Sequence, residues 1–368
     1  MNKLRTLWVA ISHHGYGHLG QTSPVLIELK NRCPNIAIIV QSGHPAALLQ
    51  DFLPFDFRHV AIAADQPILM HNAMALDIPA TVLALQDYHR NAAEIMATLS
   101  HRMQEMQVDA VVSNIGYFPL VAAKAIGIPA LAFCSLNWAD ILAAYAPHEP
   151  SLVDLIASIR DWYAQADRFF APQPHMPMPL MDNVISVGSV ARQGRRVSLA
   201  ALIGKTENMR FGLVSLGGIA YPIDYAAWPA IPGWTWIVTR NSSCITTSVR
   251  DDIIYLDDLP VSHLQVMASA DMLVTKPGYG SFTEAGCAGT PVVSLPRPDW
   301  PETAPMLEWL SQHVPVRLLE ESCLLDGTGL PACAAWREQL AHVRRDTSPT
   351  GINEAVGHIC HFLALDGN

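Results

Sequence analysis

Three imidazoles are packed into six residues near the start of this chain, His13-His14-Gly15-Tyr16-Gly17-His18, followed by Leu19-Gly20. Imidazole is the side chain whose ordinary pKa lets it take up or release a proton near neutrality. All three rings are therefore candidate acid–base groups, and the glycines between them let the backbone turn tightly and approach a ligand. For any single ring the plainer reading is structural, a histidine that bonds or caps a sharp turn. Gly15, Gly17 and Gly20 also satisfy the glycine spacing of a dinucleotide-binding turn. The acidic residue that should follow at the end of the next strand is missing, with Gln41 and Ser42 in its place, so hydride transfer loses its main support.

A second segment runs Thr275-Lys276-Pro277-Gly278-Tyr279-Gly280-Ser281, with Glu284 three residues later. The pattern predicts a strand to Thr275, a glycine turn and a helix opening at Ser281. The unpaired amides and positive dipole end of a helix start suit an anion. Ser281 and Glu284 have the spacing of a capping box. The same residues could instead read a nucleotide, with Glu284 accepting both ribose hydroxyls while the Gly280 and Ser281 amides hold a diphosphate. Further on, the Pro-bounded loop Pro296–Glu302 sets Asp299 and Glu302 beside Trp300, a combination suited to sugar hydroxyls. An ordinary solvated turn would look the same.

These loops need strands to aim them. Short apolar runs predict strands at Thr6–Ser12, Ile36–Gln41, Phe57–Ile62, Ala110–Ser113 and Ala130–Cys134, with a long helical stretch over 80–106. After a Pro-rich stretch (172–179) and a Gly/Arg-rich one (188–196), a second series is predicted at Phe211–Ser215, Thr235–Val238, Ile253–Leu256, Met272–Thr275, Val292–Leu295 and Val316–Leu319. Near-continuous apolar strands imply parallel sheets covered on both faces. The expected fold class is α/β, with two doubly wound parallel-sheet domains facing a central cleft, residues 1–190 and 191–368. The final helix, 351–365, could pack on either. Ligands in such folds lie beyond the carboxyl ends of the strands.

The bulk numbers narrow the partners. A chain of 368 residues exceeds one ordinary core, and 50% hydrophobic against 15% charged residues describes a chain that buries much surface. A formal charge of -10 argues against nucleic acid as main partner. Seven scattered cysteines, without a C-x-x-C pair, read as free thiols and not as a zinc site or disulfide framework. The apolar run Leu7–Ile11 is too short for a signal or membrane span, so a cytoplasmic protein without a transmembrane segment is expected. The Met-rich, weakly charged stretch 68–85 could be helix core or the bed of a lipid-linked or aromatic acceptor.

The order of these features resembles the GT-B glycosyltransferases. The first loop is similar to the GGTGGH loop of the bacterial GlcNAc transferase that makes lipid II, with His18 at the motif's histidine. The stretch Lys276–Glu302 is closer to the glycosyltransferase-like N-terminal region of plant-type arabinokinases, whose GHGFGH-like loop matches His14 and His18. The likeness implies an inverting transferase, with no bound metal and no cofactor besides the nucleotide-sugar substrate. It implies that the backbone amides of Gly278–Ser281, helped by Gly217 and Gly218, take the leaving diphosphate. His18, or else His14, with His13 third, would remove the proton of a hydroxyl acceptor, either a small molecule or lipid-linked. The backbone of Leu259 would read the nucleobase, UDP being the expected donor nucleotide. No Asp-x-Asp occurs. Ala304-Pro305-Met306 stands where the lipid II enzyme has Gln-x-x-x-Asn-Ala, which leaves the donor sugar open. Two other readings share the form: a non-catalytic sugar-nucleotide-binding module, and a non-hydrolysing sugar-nucleotide epimerase.

Overall fold

The computed structural model describes residues 5–72, 74–218, 221, 223–240, 250–340 and 347–363. Seven strands, β1 (Thr6–Ile11), β2 (Ala37–Gln41), β3 (Arg58–Val60), β4 (Ala110–Asn114), β5 (Ala130–Phe133), β6 (Arg168–Pro172) and β7 (Val184–Val187), form one sheet in the order 3-2-1-4-5-6-7. Six more, β8 (Arg210–Val214), β9 (Trp234–Val238), β10 (Ile253–Tyr255), β11 (Met272–Thr275), β12 (Val292–Ser294) and β13 (Val316–Leu318), form a second in the order 10-9-8-11-12-13. Every pairing in both is parallel. Burial on both faces explains why the central strands carry apolar runs instead of an alternation: β4, β5 and β11 are buried at every position.

Both sheets reverse their winding between two adjacent strands, β1 and β4 in the first, β8 and β11 in the second. At such a switch point the loops leave in opposite directions and open a crevice. The histidine loop follows β1, and Asn114, in register with Ile11, ends β4. Gly217 and Gly218 follow β8, and Lys276–Gly280 follow β11. Each glycine-rich motif thus stands at the reversal point of its own sheet.

β6 and β7 were not among the predicted strands. β6 ends on Pro172, and β7 is a partly exposed edge, so the proline run between them masks two short strands. The helical stretch 80–106 is two helices, Ile78–Arg90 and Ala92–Glu105. They part at Asn91, whose side-chain amide donates to the Asp87 carbonyl at 3.0 Å and competes with the backbone ladder.

Residues 188–198 carry no regular element and lie between the two sheets. The last helix, Gly351–Phe362, returns across this seam and packs on the helix Gly17–Arg32 and on β7. Gly188 donates its amide to Glu354 at 2.8 Å, and the Gly351 amide donates to the Ser189 carbonyl at 3.0 Å. The helix Gly17–Arg32 also packs on Tyr279–Ala288, so the helices that follow the two motif loops meet. One apolar cluster accordingly runs through both sheets' inner helices, from Leu19 and Leu26 to Phe282 and Val356.

Candidate functional site

The two switch points face each other. The Tyr16 ring lies so near Gly218 that a Cβ there would stand 2.7 Å from it. A side chain at Gly218 would push the exposed Tyr16 ring aside, and its neighbour Gly217 adopts φ +85, where an L side chain is strained. More links join the lobes around this point. Ser135 Oγ, beyond β5, donates to Glu302 at 2.5 Å, and Tyr145 donates to the Asp299 carbonyl at 2.7 Å. The Tyr279 hydroxyl accepts from the Val190 amide and donates to the Gln173 carbonyl.

On the first lobe His18 is buried and held by Asn114. A chain of hydrogen bonds fixes which ring nitrogen carries the proton. The Thr22 hydroxyl donates to the His18 carbonyl at 2.8 Å, so its oxygen accepts from Asn114 Nδ2 at 2.9 Å. The other end of that amide, Oδ1, therefore faces His18 Nδ1 at 2.8 Å and must receive its proton. Nε2 is left with the lone pair. Burial pushes His18 down to about 4, against the Asn114 hydrogen bond, so the ring is neutral at physiological pH. This is a histidine oriented by a third group, the pattern of an acid–base residue.

His14 lies 6.3 Å from His18 and 5.4 Å from Trp138, ring centre to ring centre. It is pushed to about 3 by burial first, then by His18, and by Lys276 and Arg297 of the other lobe. His13 is set apart, its ring against Gly43 and edge-on to His44. Trp138, which touches both inner histidines, is itself fixed by Nε1 donating to buried Asp65 at 2.7 Å.

On the second lobe the helix starts two residues earlier than predicted. Its N-cap is Gly278 and it spans Tyr279–Ala288, so Ser281 lies inside the first turn. The capping-box reading is therefore corrected: no side chain caps this end, and Glu284 does not reach back. The reason is that the helix has already begun at Tyr279, so Ser281 and Glu284 both lie within it. The first-turn amides of Tyr279, Gly280 and Ser281 have no carbonyl one turn back to bond. A Cβ on Gly280 would meet nothing within 4 Å, so open space stands beside them. The histidine-loop helix, Gly17–Arg32, also starts without a side-chain cap.

Glu284 is 5% exposed and accepts from Arg192 Nε at 2.7 Å. Arg192 comes from the segment between the sheets and stacks 4.7 Å over Phe52. Burial raises the Glu284 carboxyl and Arg192 opposes the rise. Leu259 follows the short turn after β10, its amide spent on the Leu256 carbonyl at 3.0 Å. Asp299 is exposed, whereas Glu302 is buried and accepts from Trp300 Nε1 as well as Ser135. The two carboxylates expected to act together thus occupy different environments.

The structure adds residues that the sequence pattern passed over. Lys276 sits just before the glycine turn, near Gly217, and burial pushes it down to about 8, with Arg297 adding to the effect. Arg297 is buried with its guanidinium 4.4 Å over Trp300. Both stood in quoted motifs, but their value depends on what faces them from the other lobe. Asn114 ends an unremarkable strand, and only the strand order 1-4 puts it beside His18. The stretch 68–85 is divided: Ile68, Val82 and Leu85 are core, Leu83 is exposed, and Met74 packs against the second lobe's cluster around Val214 and Leu216. Among the described residues no three His, Cys, Asp or Glu side chains group to hold a metal ion, and no helix is long and apolar enough to cross a membrane. No disulfide forms among the six cysteines of the described residues; Cys244 lies outside them.

Two Rossmann-like parallel sheets facing one cleft are the architecture of the GT-B glycosyltransferases, and the chain has that fold. It is similar over 98% of its length to the whole glycotransferase of kitacinnamycin (TM-score 0.67, 17% identity). It is similar also to Phytolacca americana UGT2 complexed with UDP-2fluoro-glucose and pterostilbene, with TM-score 0.60 and 13% identity over 99% of this chain and 96% of that one. Acinetobacter baumannii MurG gives 0.55 and 14%, over 97% and 99%. By sequence, the chain is 23% identical over 306 residues to an L-arabinokinase of Arabidopsis thaliana, covering 78% of this chain. It is 25% identical over 211 residues to an uncharacterized glycosyltransferase of Methanopyrus kandleri, covering 52% of this chain. The matches span 28% and 58% of those two relatives' own lengths. No protein-family profile matches.

Proposed function

We propose that the protein is a glycosyltransferase that moves a sugar from a nucleotide diphosphate, UDP first among the candidates, to the hydroxyl of a small-molecule or lipid-linked acceptor, with inversion and without a metal. The observation that carries this reading is the uncapped start of Tyr279–Ala288, with Lys276 before it, set across the cleft from the oriented His18 and from His14. The fold's likeness to a structure holding UDP-2fluoro-glucose supports uridine.

In this mechanism His18 Nε2 takes the acceptor's hydroxyl proton as the oxygen bonds to the anomeric carbon. The bond from that carbon to the diphosphate oxygen breaks, and the electron pair leaves with the nucleoside diphosphate. The growing charge is met by the first-turn amides of Tyr279, Gly280 and Ser281, by Gly217 and Gly218, and by Lys276, all in place beforehand. Glu284 accepts from the ribose hydroxyls, the Leu259 backbone meets the base, and Glu302 with Asp299 reads the sugar.

The test begins with a thermal-shift screen against UDP, GDP, dTDP and their sugars, where a cognate nucleotide at about a hundredfold over its Kd stabilises by about 2.7 kcal/mol. His18→Ala should then lower turnover about a hundredfold or more while nucleotide affinity stays as in the wild type. A larger loss in His14→Ala than in His18→Ala would transfer the base to His14. Wild type that binds a nucleotide sugar but turns over none with any acceptor would leave a binding module instead.

A further inference from the structure

Arg297 follows β12 and is 5% exposed, yet its Nε and Nη2 have no hydrogen-bond partner. These two nitrogens lie on one edge of the guanidinium, the fork that grips two oxygens of a single planar anion. The Trp300 ring lies against the guanidinium, its centre 4.4 Å from the guanidinium carbon. Leaving a charged donor pair bare in the interior is costly, so the fork calls for an acceptor that the neighbouring side chains do not supply.

The charges around it are mixed: Lys276 and His14 lie near enough to feel Arg297, and so do Asp299, Tyr145 and Glu302, yet neither acid bonds the fork. Glu302, the buried acid nearby, already accepts from Ser135 and Trp300, and Asp299 is exposed. Tyr145 completes the surroundings, its hydroxyl donating to the Asp299 carbonyl. The donor's own diphosphate is served by the helix start and Lys276, which follow β11. Arg297 belongs to the next strand, in the loop that holds the sugar-reading acids.

Resting on the donor reading above, we infer that the transferred sugar carries a carboxylate, and that Arg297 holds it side-on through Nε and Nη2. The substrate class is a nucleoside-diphosphate uronate. A sugar with a hydroxymethyl group at that position leaves the fork unpaired and is rejected for that reason.

Calorimetric titration of the full chain with UDP, UDP-glucose and UDP-glucuronate tests this. Wild type should bind UDP-glucuronate at least about tenfold tighter than UDP-glucose, because only the first pairs the charged fork. Arg297→Met should erase the difference and leave UDP affinity unchanged. Arg297→Lys, which keeps the charge but loses the fork, should retain only part of it. UDP binding with UDP-glucose equal or tighter in the wild type overturns the inference and leaves the transferase reading standing. A loss of UDP affinity in Arg297→Met, with wild-type melting behaviour, overturns it too and gives Arg297 to the diphosphate. Wild type with no affinity for UDP removes the uridine donor reading, and the inference falls with it.

Discussion

A lysine buried beside another cation gives up its proton earlier than one in water. Lys276 is held at about 8 by burial, then by Arg297, with Glu302 opposing. If its charge serves a diphosphate, nucleotide affinity should be flat below pH 8 and fall as pH rises through that value. The sign follows because only the ammonium attracts the anion. The fall approaches about tenfold per pH unit once the lysine is mostly neutral. Lys276→Arg should remove the inflection, and titration between pH 6.5 and 9.5 checks both. At this scale the histidines were legible, because three imidazoles in six residues are conspicuous whatever surrounds them. Lys276, Arg297 and Asn114 were not, since an ordinary residue becomes special only through neighbours far away in the chain. His18 owes its tautomer to Asn114, 96 residues later.

Elements were easier to read than their ends. Eleven strands could be placed from apolar runs, and the glycine motifs fell at the turns expected of them. The errors came where a local signal was ambiguous. Prolines hid β6 and β7, and Ser281 with Glu284 had the spacing of a cap although the helix opens at Tyr279 and includes both. That correction bears on Glu284, which is left with one hydrogen-bonded oxygen on Arg192 and no structural duty at the helix end. Glu284→Gln preserves the shape and one acceptor for Arg192 but discards the charge. Nucleotide affinity should fall about tenfold or more, the value of a hydrogen bond to a charged group, measured at a temperature where both proteins are folded because the buried pair with Arg192 is weakened too. Unchanged affinity by calorimetry would remove the ribose role.

The whole molecule depends on how its two sheets are tied, which no window of sequence displays. The return of Gly351–Phe362 to the first sheet could be posed only as an alternative from its sequence. It is decided by Gly351, whose added Cβ would stand 1.8 Å from the Gly188 carbonyl oxygen, and by Glu354 accepting from the Gly188 amide. Gly351→Val would force that backbone contact apart. It should destabilise the chain by about 1–3 kcal/mol, as overpacking does, in chemical denaturation. A variant as stable as wild type would mean that the crossing is looser than drawn.

Because the chain crosses between the lobes twice, at Gly188 and again at Gly351, and the two passages touch, the lobes are joined like pages at a spine. Tyr279, bonded to Val190 and Gln173, sits beside that spine. Other contacts between the lobes lie at the free margin: Tyr16 on Gly218, Ser135 on Glu302 and Tyr145 on the Asp299 carbonyl. Two of the three hold the loop proposed to read the sugar, so any opening of the lobes at that margin would also release Glu302 and Asp299 from the first lobe.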